Sequence, residues 1–267
     1  MTGDPDDPAR ATRIDLAWAR TQIETYGREN PWVMSYILGQ FPPSSLNALL
    51  GPEEVQAAMD RELPVATYEW AQKRLGIDVA RYGDDRTVIF PRQGLRAFAP
   101  DVLRHARDSA VSTDIATAVL TRRGLMGGDA LMLLDATGGW AAGASDVLQA
   151  SGHRPADRPV NVQFHAPAMT DKYKNRRAEM WFQMAEWIKR GGWLPKVSEL
   201  VAELTTPTYT FLNGKFQLEP KEQVKARLGR SPDLADALAL TFAVPEGVKL
   251  AVKTPGRHQP KRPSRMV

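Results

Sequence analysis

At residue 75 the periodicity of the chain changes, and that change limits the folds open to it. Apolar residues alternate or run together over 75–81, 87–92 and 95–100, separated by Gly83-Asp84-Asp85 and by Gly94, which predicts three short strands in a meander. Helical and extended patterns then take turns. A helix is predicted over 113–123 and a strand over 130–135; Gly138-Gly139 opens a loop into a helix over 145–150, and a strand follows over 160–165. Residues 172–190 read as an amphipathic helix, with Met180, Trp181, Met184, Trp187 and Ile188 on one core-facing stripe. Asn213-Gly214 closes a two-residue hairpin within 209–218, and a last helix starts at Ser231. A meander followed by alternating helices and strands makes an α/β sheet of mixed direction, flanked by helices.

The segment before residue 71 carries no strand pattern. Residues 1–11 read as disordered, and short amphipathic helices are expected over 14–26 and 31–38. Pro52 then opens a third helix at a position where its missing N–H costs nothing, and Glu53 and Glu54 suit the positive end of the dipole. The expected organisation is a helical linker-like segment over 1–70, an α/β domain over 71–244 and a basic, disordered tail over 245–267. With 267 residues, 43% of them apolar, the chain is long enough for one substantial core and an appendage.

Composition narrows the chemistry. There is no cysteine, and the four histidines are dispersed, so thiolate zinc, iron–sulfur clusters and His-rich sites are excluded. A bound metal has to be held by oxygen, which points to Mg²⁺ or Mn²⁺. The net charge of +4 sits in the tail, where Lys249, Lys253, Arg257, Lys261, Arg262 and Arg265 face only Glu246 and leave the rest at −1. Such a tail reads as a solvated end or as a contact for a polyanion. No apolar run approaches ~18 residues, and the N-terminus is acidic where a signal peptide is basic, so a cytoplasmic protein with no membrane partner is expected.

Aspartates on separate elements carry the functional reading. Asp78 interrupts a strand that otherwise looks buried, where an unpaired carboxylate is costly; a salt bridge to Arg81 or Arg86 is the structural alternative. Asp135 ends a strand before Ala-Thr-Gly-Gly, at a sheet edge where open α/β proteins place ligands, although an acid there also caps a turn. Asp236 lies on a helix that is apolar or small on every side, so its charge calls for a cation. Asp233 stands three residues earlier, in a first turn where an acid suits the dipole. Asp84 and Asp85 fit a tight turn. One carboxylate from a first strand, one from a later strand and one from a closing helix can hold two divalent cations over a phosphodiester. Lys172, Lys174, Arg176 and Arg177 fall at the start of a predicted helix, where positive charge opposes the dipole and phosphate is a natural partner. Lys215, Lys221, Lys225, Arg227 and Arg230 could extend the same track.

The ordered set Gly76-Ile-Asp-Val-Ala-Arg-Tyr-Gly-Asp-Asp, Leu133-Leu-Asp-Ala-Thr-Gly-Gly, Tyr173-Lys-Asn-Arg-Arg-Ala-Glu-Met-Trp and Ser231-Pro-Asp-Leu-Ala-Asp-Ala-Leu resembles the nuclease domain of tailed-phage terminase large subunits. Upstream, the stretch from Tyr26 to Pro42 is similar to the segment that links the packaging ATPase to that nuclease. The resemblance implies an RNase H-like fold and a two-metal endonuclease, using Mg²⁺ or Mn²⁺, that cuts concatemeric double-stranded DNA during packaging in the host cytoplasm. It also implies that Asp78, Asp135 and Asp236 are the metal-binding triad, with Asp233 and Asp84 as auxiliary acids. The hairpin resembles an insertion that regulates access of DNA. A packaging ATPase, a portal and a small terminase subunit are the implied partners. One departure is plain: no Gly-x-x-x-x-Gly-Lys-Ser/Thr loop occurs, so this sequence cannot itself power translocation, as a split gene product, a prophage remnant or a fragment. An RNase H-like resolvase or transposase, and a packaging scaffold that does not cut, are the alternatives. A sugar kinase is disfavoured, because Ala80 stands where its phosphate-binding glycine belongs.

Overall fold

The computed structural model describes residues 3–8, 14–28, 31–40, 47–80, 86–103, 112–139, 141–152 and 154–246. The tail from residue 247, and Asp84 with its turn, lie outside them. The main sheet contains β1 (Lys73–Asp78), β2 (Thr87–Gln93), β3 (Arg96–Ala97), β4 (Asp101–Leu103), β5 (Leu131–Asp135) and β6 (Val160–Val162). It is ordered β3-β2-β1-β5-β6, with β4 also on β2; β1 runs antiparallel to β2 and parallel to β5, and β5 is parallel to β6. This is the mixed sheet expected. The third strand of the meander is split, however. β3 pairs with Arg92 and Gln93 and β4 with residues 87–89, along the same edge of β2. Between them Pro91 and Pro100 each lack a ladder donor, which breaks an otherwise continuous strand.

Strand alternation divides the interior. On one face Leu75, Ile77, Ile89, Met132 and Leu134 pack against Ile115, Val119 and Leu148 of α4 (Ser112–Leu125) and α5 (Ala142–Ser151). On the other, Val88, Phe90, Leu131 and Leu133 meet α6 (Arg176–Lys189), α7 (Ser198–Thr205) and α9 (Asp233–Leu240). Leu49, Leu50, Val55, Ala58 and Met59, around α3 (Pro52–Asp60), share this second core, which therefore reaches upstream of residue 71. Helices α1 (Leu16–Tyr26) and α2 (Pro31–Tyr36) belong to a small separate cluster built on Ala19, Val33, Ile37 and Leu38. Among the described residues no helix is long and apolar enough to cross a membrane.

The hairpin of β7 (Tyr209–Leu212) and β8 (Lys215–Leu218) turns through Asn213 (φ 54°) and Gly214 (φ 75°), the left-handed pair that a tight hairpin turn needs. It is not part of the main sheet. Phe216 and Tyr209 anchor it on α6 through Phe182, whose ring centroid lies 4.9 Å from that of Phe216 and 5.3 Å from that of Tyr209. Directly after the hairpin comes α8 (Lys221–Leu228), a short polar helix with only Val224 buried and too weak a hydrophobic period to show in the sequence. Helix α7 is just as short, although it buries Leu200 and Leu204 on one side.

Candidate functional site

The site begins with a missing side chain. Gly76 lies in the middle of β1, and a Cβ there would come within 1.8 Å of the carbonyl oxygen of Ala237. Only glycine lets α9 lie this close to the strand. Asp78 lies on the same face as Gly76 at the end of β1. Its parallel neighbour β5 ends on Asp135, one step beyond the Ile77–Leu134 pair, so both carboxylates reach the same carboxyl edge of the sheet. The N-terminal turn of α9 brings Asp233 and Asp236 to that edge. All eight residues of α9 are buried, as its all-round apolar pattern predicted.

An ammonium sits among these acids. Lys221 Nζ lies 3.3 Å from Asp78 Oδ2, 3.3 Å from Asp236 Oδ2 and 3.6 Å from Asp233 Oδ1. Although burial opposes its charge, Asp78, Asp236 and Asp233 together hold Lys221 above the usual lysine range. The acids themselves differ. Burial, reinforced by Asp233, Asp236 and Asp135, pushes the Asp78 carboxyl well up despite Lys221. Burial likewise raises Asp135, against the pull of Thr137, whose N–H donates to Oδ1 at 2.9 Å. Asp236 moves the other way. Burial pushes it up, but Arg177, Lys221 and Trp181 outweigh that and hold it below the ordinary value. Arg177 Nε donates to Asp236 Oδ1 at 3.0 Å and Trp181 Nε1 to the same oxygen at 2.8 Å.

Asp78, Asp135 and Asp233 line a cleft of about 630 Å³, together with His165, Lys174 and Lys221. Asp236 is fully buried and lies outside that lining. Of the acids singled out in the sequence, the structure brings Asp78, Asp135, Asp233 and Asp236 together, and it separates the cleft-facing ones from the enclosed Asp236, which the sequence did not distinguish. His165, Thr137 and Asn175, also at the cleft, were not singled out. An exposed His after a strand gives no pattern to find. The donor set is all oxygen and richer in negative charge than Lys221 and Arg177 can balance, which suits a hard divalent cation. As the side chains stand, with the ammonium between them, no three His, Asp or Glu groups among the described residues are placed to hold an ion.

The basic residues are arranged differently from the expected phosphate track. Helix α6 begins at Arg176, with Asn175 as its cap accepting from Ala178 N–H, so Lys172 and Lys174 precede the helix rather than open it. Arg176 pairs with Glu179, and Arg177 is buried against Asp236; internal acids, not an outside phosphate, offset their position at the helix start. Lys172 Nζ donates to Thr25 O at 3.3 Å, away from the acids, and lines a second groove. Lys174, bonded to Gln217, stays at the cleft; Lys215 is half-buried on β8, and Lys225 is exposed on α8.

No family model and no curated protein matches the chain. Solved structures do. The nuclease domain of the large terminase subunit gp2 of bacterial virus Sf6 superimposes with a TM-score of 0.53 at 21% identity, over 74% of this chain and 99% of that one. A mutant of that domain with manganese and beta-thujaplicinol gives a TM-score of 0.58 at 21% identity, over 74% and 99%. The same mutant domain with manganese gives 0.55 at 20% identity, over 74% and 100%. The chain thus has the RNase H-like fold of these terminase nuclease domains.

Proposed function

We propose that the chain is a divalent-metal-dependent endodeoxyribonuclease of a phage DNA-packaging terminase, cutting concatemeric double-stranded DNA with Mg²⁺ or Mn²⁺. The observation that carries this reading is the convergence of Asp78, Asp233 and Asp236 around one ammonium, with Asp135 beside them at the carboxyl edge of the sheet. The fold, similar to nuclease domains solved with manganese, supports it. Asp78, Asp135 and Asp233 would hold metal from the cleft side, and Asp236 completes the set on the enclosed side of Lys221. Divalent ions held by these carboxylates would supply an activated water and charge to offset the leaving 3′ oxygen.

The chain's own residues do the rest. Lys221 keeps the acids together while they await a metal. Arg177 and Trp181 fix Asp236 in one orientation. Lys174 offers a charge to a phosphate entering the cleft, and such contacts position DNA without reading its sequence. A packaging ATPase, a portal and a small terminase subunit are the partners that this role calls for.

One observation favours a second reading, a packaging scaffold that binds DNA without cutting it: Lys221 already occupies the space among the acids. Incubation of the full chain with supercoiled plasmid separates the two. The nuclease nicks and linearises plasmid with Mn²⁺ or Mg²⁺ and is silent in EDTA. Folded protein that retains DNA but cuts under no divalent ion selects the scaffold.

A further inference from the structure

Behind the carboxylates lies a second charged network that the proposed reaction does not use. Glu203 on α7 is fully buried. Its Oε2 accepts the backbone N–H of Ala235 at 3.1 Å, in the first turn of α9 between Asp233 and Asp236. Its Oε1 accepts from Arg86 Nη2 at 3.1 Å and from Arg230 Nε at 3.4 Å. Arg86 pairs through its other guanidinium nitrogen with Glu199, also on α7. The backbone N–H of Arg86 is in turn donated to Asp233 Oδ2 at 3.0 Å. One buried carboxylate therefore ties together the chain entering β2, the chain entering α9 and the first turn of α9 itself.

We propose that Glu203 is a positioning residue for the carboxylate cluster, setting the orientation of Asp233 through Arg86 and the placement of Asp233 and Asp236 through the N-terminus of α9. A purely stabilising role accounts poorly for this arrangement. A buried ion pair adds little net stability over apolar residues of the same volume, since desolvation offsets most of the attraction. It does fix geometry, because two oxygens with three named donors leave one orientation for each partner. Groups that orient a ligand from outside the coordination sphere commonly govern metal affinity. The inference rests on the metal-nuclease reading above, and it assigns a task to a helix that touches no substrate.

The test uses the full chain with Glu203→Gln, which keeps the shape and an acceptor for Ala235 N–H while removing the charge that holds Arg86. A second variant, Arg86→Lys, keeps a charge but loses the fork that spans Glu199 and Glu203. Mn²⁺ affinity is read twice, from the rise in melting temperature with added Mn²⁺ and from the Mn²⁺ dependence of plasmid cleavage. Each variant is expected to need about 10-fold more Mn²⁺ than wild type on both readouts. The double variant is expected to shift no further than either single one, since both break the same link. A role confined to stability would lower the metal-free melting temperature and leave both Mn²⁺ midpoints at the wild-type value, which overturns the proposal. Additive shifts in the double variant overturn it too, because Glu203 and Arg86 would then act separately. If the wild type neither melts later with Mn²⁺ nor cuts, it is the nuclease reading that fails, and the two failures stay distinct.

Discussion

Arg177 and Asp236 form an ion pair with both partners buried, Nε to Oδ1 at 3.0 Å and Nη2 to Oδ2 at 3.4 Å. The sequence asked for a cation at Asp236 and for an anion at Arg177, and each answers the other across α6 and α9. Asp236→Asn consequently leaves a buried guanidinium without its charge partner. Metal-free protein carrying this change is expected to lose about 3 kcal/mol of stability, read from urea unfolding with an unchanged slope. An unmoved midpoint would mean that Arg177 finds sufficient compensation at the Glu219 carbonyl, which it already meets at 3.0 Å.

Asp78 should respond in the opposite direction, although it shares Lys221 with Asp236. Its carboxyl is raised well above the ordinary carboxylate value of 3.8 by burial and by the neighbouring acids. Between that value and the raised one, the folded state holds a proton that the unfolded state has released, so the group's contribution to stability falls as pH rises through the window. Asp78→Asn has no such proton to lose. Without metal this variant is expected to melt later than wild type at about pH 8, with the gain shrinking as the pH is lowered toward about 4. A pH-independent difference between the two melts would remove the titration of Asp78 as its cause.

How much of this was legible follows from which forces act locally. The strands, the all-round burial of α9 and the Asn213-Gly214 turn were readable because periodicity and backbone conformation are written in neighbouring residues. The partners of the charges were not. Arg177 lies 59 residues from Asp236, and Lys221 lies 143 from Asp78, so nothing in the local pattern separates an internal ion pair from a phosphate contact. Helices α7 and α8 were missed for another reason. Each is eight residues long, shorter than the window of roughly 11–18 residues over which a helical period is read, and α8 in addition buries only Val224. Asp84 stays an expectation, since its turn lies outside the described residues.

Gly76 opens the first of the motifs in the sequence, and the reason for a glycine there is steric. A methyl group there would meet the Ala237 carbonyl at 1.8 Å, and that carbonyl belongs to helix backbone rather than to a side chain that can turn aside. Gly76→Ala is expected to cost about 3 kcal/mol or more by forcing α9 off β1. The displacement also carries Asp233 and Asp236 away from Asp78, so Mn²⁺-dependent stabilisation should fall in whatever fraction remains folded. Wild-type melting with a wild-type Mn²⁺ response would show that α9 can slide along the strand without disturbing the acids.

Lys221 separates the site's two possible uses of a positive charge. As a phosphate contact on the expected track, its removal would weaken DNA binding and leave metal affinity alone. Its ammonium instead lies among Asp78, Asp233 and Asp236, and the raised folded value keeps it charged, with its stabilising contribution complete below the usual lysine value of 10.5 and lost only above it. In Lys221→Ala the acids lose that shared partner and repel one another. The metal-free protein is therefore expected to melt earlier than wild type at neutral pH. A cation entering the same space no longer has an ammonium to displace, so Mn²⁺ should bind more tightly by calorimetry and restore more of the melting temperature than it adds to wild type. An unchanged Mn²⁺ affinity beside weakened DNA binding would return Lys221 to the phosphate track and leave the carboxylates without a resident counter-charge.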